Sequence, residues 1–270
     1  MRITDLKCAV IGGYPVVRIS TDAGIDGYGQ AESYKPFLKP HVLFYKDLIM
    51  GADPTNVEGV MMRIKRMGSF KPWGSAVSAI EVALWDIAGK AAGLPIYKLL
   101  GGKVRDKVRV YNGAVRFPMP NQSPEAYAEN VLKMAESPEG FSIIKQAISF
   151  HSAMMYEIPD YYYGEVHTVG RHPNRGLLTP QGFKHTMACI DAMKRVLGDR
   201  IGLALDCGPG LVASDALRLA RACEDYHLMW LEDMVTGDYT PYTLASIYRD
   251  ITTQTTTPIH TGEQVYLRQH

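Results

Sequence analysis

Three acidic residues each close a short apolar run: Asp206 after Ile201-Gly-Leu-Ala-Leu205, Glu232 after Leu228-Met-Trp-Leu231, and Glu263 in Pro258-Ile-His-Thr-Gly-Glu263. Each run has the length and composition of a buried strand, and a helix-length segment separates one from the next. Taken singly, an acid in such a place also serves as a cap for the following helix. Three in succession do what capping does not require: in a parallel barrel they bring their oxygens around one point at the mouth. Oxygen ligands without Cys or His suit a hard divalent cation, Mg²⁺ rather than Zn²⁺. Asp206, Glu232 and Glu263 are therefore the candidate metal ligands.

A second group surrounds a further apolar run, Ser142 to Ile148, which carries Lys145. The stretch that follows, Ser149 to Leu178, shows no periodicity and is far longer than the usual two to six residues of a β/α connection. It holds His151, Tyr156, Tyr161, Tyr162, Tyr163, His167, Arg171, His172 and Arg175. Aromatic, His and Arg side chains recognise hydroxyls and clamp carboxylates, so the expectation is a mobile lid. His151, Tyr156, His172 and Arg175 are its candidate substrate-binding residues. A Tyr-rich subunit contact is the alternative use, and a homo-oligomer is the expected assembly.

The elements that must position these groups fall into two parts. In a chain of 270 residues with 46% hydrophobic content there is enough apolar material for one large domain or two smaller ones. Ile3 to Ile11 and Pro15 to Ser20 read as strands around the turn Gly12-Gly13, with a third strand near Gln30 to Ser33. Helical patterns follow at Pro40 to Ile49, Val57 to Met67 and Gly74 to Ala91. In the last of these Val77, Ile80, Ala83, Leu84 and Ile87 recur at helical spacing, and Gly93-Leu-Pro95 stops it. Residues 1–105 thus read as an α+β domain.

From 106 to 270 strands and helices alternate, the pattern of parallel β/α units. The expected strands are Val108 to Tyr111, Ser142 to Ile148, Ile201 to Asp206, Leu228 to Glu232 and Pro258 to Glu263. Helices are expected at Pro124 to Glu136, Gln181 to Leu197, Ser214 to Asp225 and Tyr242 to Ile251. An eight-unit barrel takes about 250 residues, so about five of eight units are expected here and the barrel is expected to be incomplete at its C-terminal end. The fold class is α/β.

With 29 basic and 28 acidic residues the net charge is +1, which gives no overall bias toward nucleic acid or anionic membrane. No apolar run approaches the ~20 residues of a membrane span. The cysteines Cys8, Cys189, Cys207 and Cys223 lack metal-type spacing, and the start Met-Arg-Ile-Thr-Asp lacks the apolar stretch of a signal peptide. A cytoplasmic protein with a small-molecule partner, and neither nucleic acid nor membrane, is expected.

The segment Ser78-Ala-Ile-Glu-Val-Ala-Leu-Trp-Asp-Ile-Ala-Gly-Lys90, followed by Gly93-Leu-Pro-Ile-Tyr-Lys-Leu-Leu-Gly-Gly102, resembles the enolase superfamily in its mandelate racemase and muconate lactonizing branch. Asp206, Glu232 and Glu263 fall where that family places its Mg²⁺ ligands, on the third, fourth and fifth barrel strands. The resemblance implies an α+β capping domain followed by a modified (β/α) barrel of TIM type. It also implies a reaction that begins by removing the proton α to a substrate carboxylate, with charge absorbed by the metal. The expected substrate is a small carboxylate, a hydroxy acid.

Two departures shape the expected activity. The branch usually carries Lys-x-Lys at the end of its second strand, whereas Gly140-Phe-Ser-Ile-Ile-Lys145-Gln-Ala147 keeps only the first lysine. Lys145 is the candidate catalytic residue, as a base or as an electrostatic partner of the substrate carboxylate; a strand-end lysine reaching to solvent is the plain alternative. Some sugar-acid dehydratases place a His two residues after the third-strand Asp, where this chain has Asp206-Cys207-Gly208. The family's other base, a His paired with an Asp, belongs to later strands than those read here. Tyr14, Tyr34 and Lys35 sit where the family's substrate-covering loops emerge. Loss of the second lysine favours dehydration of a sugar acid over racemisation, epimerisation or cycloisomerisation. A catalytically silent metal-binding paralogue or truncated scaffold is the alternative of another class.

Overall fold

A computed structural model describes residues 1–67, 74–164, 177–208, 210–235 and 245–263, together with the backbone of 168–169 and 172–173. Its contacts divide into a first unit, Met1–Val108, and a second that begins at Arg109.

The first unit is a three-stranded antiparallel sheet with helices. Its strands are β1 (Ile3–Ile11), β2 (Tyr14–Thr21) and β3 (Gly27–Gln30), in that order, and its helices are α1 (Leu38–Phe44), α2 (Lys46–Ile49), α3 (Val57–Arg66), α4 (Ser75–Ala92) and α5 (Ile96–Leu99). Ile3, Leu6, Val17 and Ile19 bury one face of the sheet in a core with Ile64 of α3 and Ile80, Leu84 and Ile87 of α4. The third strand lies earlier than expected. A Cβ at Gly27 or Gly29 would stand 2.1 and 2.0 Å from the carbonyl oxygens of Ala83 and Ala79, so only glycine lets this backbone rest on α4. The helix expected over Pro40 to Ile49 is two short helices that meet at Tyr45.

The second unit alternates helix and strand: α6 (Pro124–Ala135), β4 (Ile143–Ala147), α7 (Met154–Glu157), β5 (Thr168–Val169), β6 (His172–Pro173), α8 (Pro180–Leu197), β7 (Gly202–Asp206), α9 (Ala213–Ala222), β8 (Trp230–Glu232), α10 (Ala245–Thr252) and β9 (Ile259–His260). Strands β4, β7, β8 and β9 form one parallel sheet in that order. Ser123 and Thr179 cap α6 and α8 by accepting from the amides of Ala126 and Gly182, each with a proline at the first helical position. Leu203, Leu205 and Leu231 are buried with Ile190 and Met193 of α8 and Leu219 of α9. Side chains alternate across a strand, so Lys145, Ala147, Ala204, Asp206, Trp230 and Glu232 share the opposite face.

Two sequence expectations are corrected here. Val108 to Tyr111 is not a strand: the ladder with β4 starts at Asn112, whose N–H donates to Ile143 O at 3.0 Å and whose O accepts from Lys145 N at 2.8 Å. Val108 and Val110 stay exposed, so burial does nothing to draw the stretch into the sheet. The long connection is not loose at either end. Met154, Met155, Tyr161, Tyr162 and Leu178 are core residues, and the Tyr161 and Tyr162 hydroxyls lie 2.9 Å from Thr186 Oγ1 and 3.1 Å from Ser149 Oγ. Apolar burial with satisfied hydroxyls makes these tyrosines anchors rather than substrate handles. His167, Arg171 and Arg175 lie outside the described residues, as does the side chain of His172.

Candidate active site

Register brings the site together. Ala147 pairs with Asp206, Asp206 with Glu232, and Glu232 with His260, so these four stand at one level of the parallel sheet. Lys145 pairs with Ala204, two residues lower on the same face. From there its long side chain rises between the two acids. Its Nζ is 3.0 Å from Asp206 Oδ2 and 2.5 Å from Glu232 Oε1, and all three residues are buried.

Each carboxylate has one oxygen on Lys145 and the other held elsewhere. Asp206 Oδ1 accepts from His151 Nδ1 at 2.8 Å and from the Gly208 amide at 3.2 Å. Glu232 Oε2 accepts from Trp230 Nε1 at 2.8 Å, with His260 Nδ1 at 3.6 Å. Tyr111, Trp230 and His260 form an edge-to-face series with ring centroids 5.1 and 5.2 Å apart, and Lys145 Nζ lies 5.8 Å from the Tyr111 centroid.

The electrostatics follow from this packing. Burial alone would pull the Lys145 ammonium down, but its hydrogen bonds and ion pairs with Glu232 and Asp206 outweigh that and raise it above the ordinary lysine value. The neighbours are anions, so this arrangement keeps Lys145 charged. Burial opposes the charge on Asp206 too; His151 and Lys145 overcome it and hold the carboxyl well below the usual range. His151 is raised, chiefly by its hydrogen bond to Asp206. Asp233, next after Glu232, is pushed up first by burial and then by the charges of Glu263, Glu232 and Asp206, against the hydrogen bond from Thr261.

Glu263 is exposed three residues beyond β9, within electrostatic reach of His151 and Asp233. Among the described residues no three His, Cys, Asp or Glu side chains are already gathered as a metal cage. The donor chemistry nevertheless suits a hard cation. Asp206 and Glu232 meet at Lys145 Nζ, and the charges of Glu263, Glu232 and Asp206 all act on Asp233, so the oxygen donors of this region are of the kind a divalent ion takes.

The remaining sequence candidates that are described have the following local contacts. Tyr14 and Tyr34 contact each other in the first unit with ring centroids 5.7 Å apart, and Lys35 pairs with Glu32. Tyr156 is exposed on α7. Sequence reasoning missed Trp230, His260 and Tyr111. Trp230 had a signal, since residues i and i+2 of a strand share a face and place an indole N–H beside Glu232. Among the described residues no helix is long and apolar enough to cross a membrane.

Comparison with known proteins gives this site a family. Residues 10–101 match the mandelate racemase / muconate lactonizing enzyme N-terminal domain, and residues 137–270 match the enolase C-terminal domain-like family. The chain belongs to the enolase superfamily, in its mandelate racemase and muconate lactonizing branch. A D-xylonate dehydratase of Haloferax volcanii is 34% identical over 98% of this chain and 60% of its own length. A D-galactonate dehydratase family member of a Marinomonas species is 30% identical over 92% of this chain and 60% of its own length. This chain therefore spans three-fifths of the length of these relatives. A crystal structure of a mandelate racemase/muconate lactonizing enzyme-like protein from Rubrobacter xylanophilus superposes with a TM-score of 0.77 at 26% identity, covering 99% of this chain and 68% of that one.

Proposed function

We propose that this protein takes part in the Mg²⁺-dependent dehydration of a sugar acid, with Asp206, Glu232 and Glu263 as the metal-holding carboxylates. The observation that carries this reading is the pair of buried strand-end acids. Each has one oxygen pinned and the other turned to a single cationic position now held by Lys145. The likeness to dehydratases of xylonate and galactonate supports the substrate class.

When bound, Mg²⁺ supplies the positive charge needed by a carboxylate that is losing its α-proton. The chain's own residues bind and orient. His151, Gly208 and Trp230 orient the two carboxylates, and the Leu205 and Leu231 side of the sheet keeps their backs dry. Lys145, between the two strand-end acids, is placed to pair with the carboxylate of an acid substrate. In the overall reaction the α C–H and β C–O bonds break, the departing hydroxide takes a proton and leaves as water, and the enol becomes a 2-keto-3-deoxy acid. Ala147, level with Asp206, leaves β4 without a second amine for two-base exchange, which favours dehydration.

The test is a panel of aldonic acids that includes xylonate, galactonate and mannonate, assayed for keto-acid product with Mg²⁺ and after chelation. Product that forms with Mg²⁺ and is lost on chelation is expected. Racemisation without net dehydration would replace this reading.

A further inference from the structure

The turn that leaves β4 is built to deliver one side chain. Ile148 N donates to Asp206 O at 2.9 Å and Phe150 N to Cys207 O at 3.2 Å, so the chain stays zipped to β7 beyond the end of the strand. Between them buried Ser149 adopts a left-handed conformation, φ +50°, which swings the next residues back over the sheet. The imidazole of His151 then lies over Gly208. A Cβ at position 208 would stand 2.7 Å from His151 Cδ2, 2.9 Å from His151 Cγ and 3.0 Å from Phe150 Cδ1. Gly208 also has a positive φ, +56°, and directs its N–H at the same Asp206 oxygen that His151 holds.

We propose that His151 is a positioning residue for Asp206, and that Gly208 is the residue that makes room for it. Together the imidazole and the Gly208 amide fix Oδ1, which leaves Oδ2 turned to the cation position shared with Glu232. The proposal rests on the metal reading above. It also gives meaning to the missing His two residues after Asp206: an imidazole reaches the same carboxylate from the neighbouring strand's turn, and a side chain at 208 would collide with it.

Four forms of the full-length protein test this: wild type, His151→Ala, Gly208→Ala and the double variant. Mg²⁺ binding is measured by calorimetry and unfolding of the metal-free protein by urea. Loss of a hydrogen-bonding partner of a metal ligand typically weakens metal binding about 10–100-fold, so His151→Ala is expected to fall in that range. Gly208→Ala should lose affinity similarly, and the double variant should bind no more weakly than either single one. Backbone strain at 208 acts whether or not His151 is present, but the collision needs the ring. Gly208→Ala should therefore lower the urea midpoint less when residue 151 is alanine. His151→Asn, which places an amide N–H near the position of Nδ1, should recover part of the lost affinity.

Affinity unchanged in His151→Ala, or losses that simply add in the double variant, would overturn the proposal while leaving the metal reading intact. A wild-type protein that binds no Mg²⁺ would overturn the metal reading and this role with it. Equal midpoint shifts for Gly208→Ala in both backgrounds would show that the two positions do not meet.

Discussion

The indole N–H of Trp230 donates to Glu232 Oε2 at 2.8 Å from two residues earlier on the same strand face. A strand's period of two makes this contact almost inevitable once both residues face the site, and it leaves Glu232 Oε1 to Lys145. Trp230→Phe keeps an aromatic side chain and removes the donor. Mg²⁺ affinity should drop about 10–100-fold in calorimetry with little change in the urea midpoint.

Glu232→Gln removes a charge from the centre of the site and keeps the shape. Mg²⁺ binding is expected to weaken by more than about 100-fold, beyond the effect of losing a hydrogen-bonding neighbour. Far-ultraviolet circular dichroism should be unchanged. Metal affinity equal to wild type would remove Glu232 from the site.

Lys145 is the ammonium that lies between two buried carboxylates. Breaking a buried ion pair by deleting one partner costs about 3–5 kcal/mol, so metal-free Lys145→Met should unfold at clearly lower urea. Saturating Mg²⁺ should restore more stability to this variant than it adds to wild type, because the ion replaces the missing charge. In Lys145→Ala, exchange of the substrate α-proton with solvent deuterium should persist at reduced affinity; abolished exchange would make Lys145 the base.

Tyr161 and Tyr162 distinguish an anchor from a lid. Tyr161→Phe loses a buried hydroxyl contact with Thr186 and should cost about 1 kcal/mol of stability, read from the urea midpoint, without altering the Michaelis constant. A raised Michaelis constant with unchanged stability would return this tyrosine to substrate recognition.

The acids at positions 206 and 232 were legible because a strand that ends in a carboxylate repeats in the sequence, and parallel register turns that repeat into proximity. Lys145 was legible as a site residue, but its partners were not, since the anions that raise it come from two strands distant in sequence. The tyrosines of the long connection misled for a physical reason. A segment without periodicity gives no sign of which aromatics face inward, and Tyr161 and Tyr162 are adjacent yet both buried. The contact between His151 and Asp206 was hidden because it depends on a left-handed Ser149, a conformation that residue type does not announce.

The pairing of Asp206 with Glu232 has a consequence for how the sheet finds its alignment. Sliding β8 by one residue would exchange the faces of Leu231 and Glu232. A carboxylate would then sit among Leu203, Leu205 and Leu219, and a leucine would meet the Lys145 ammonium. Both substitutions are costly, so the charged groups reject the misaligned sheet as firmly as the leucines do. The same carboxylates proposed to hold an ion thus also fix the register, and Leu231, on the opposite face, sets where Glu232 stands through alignment alone.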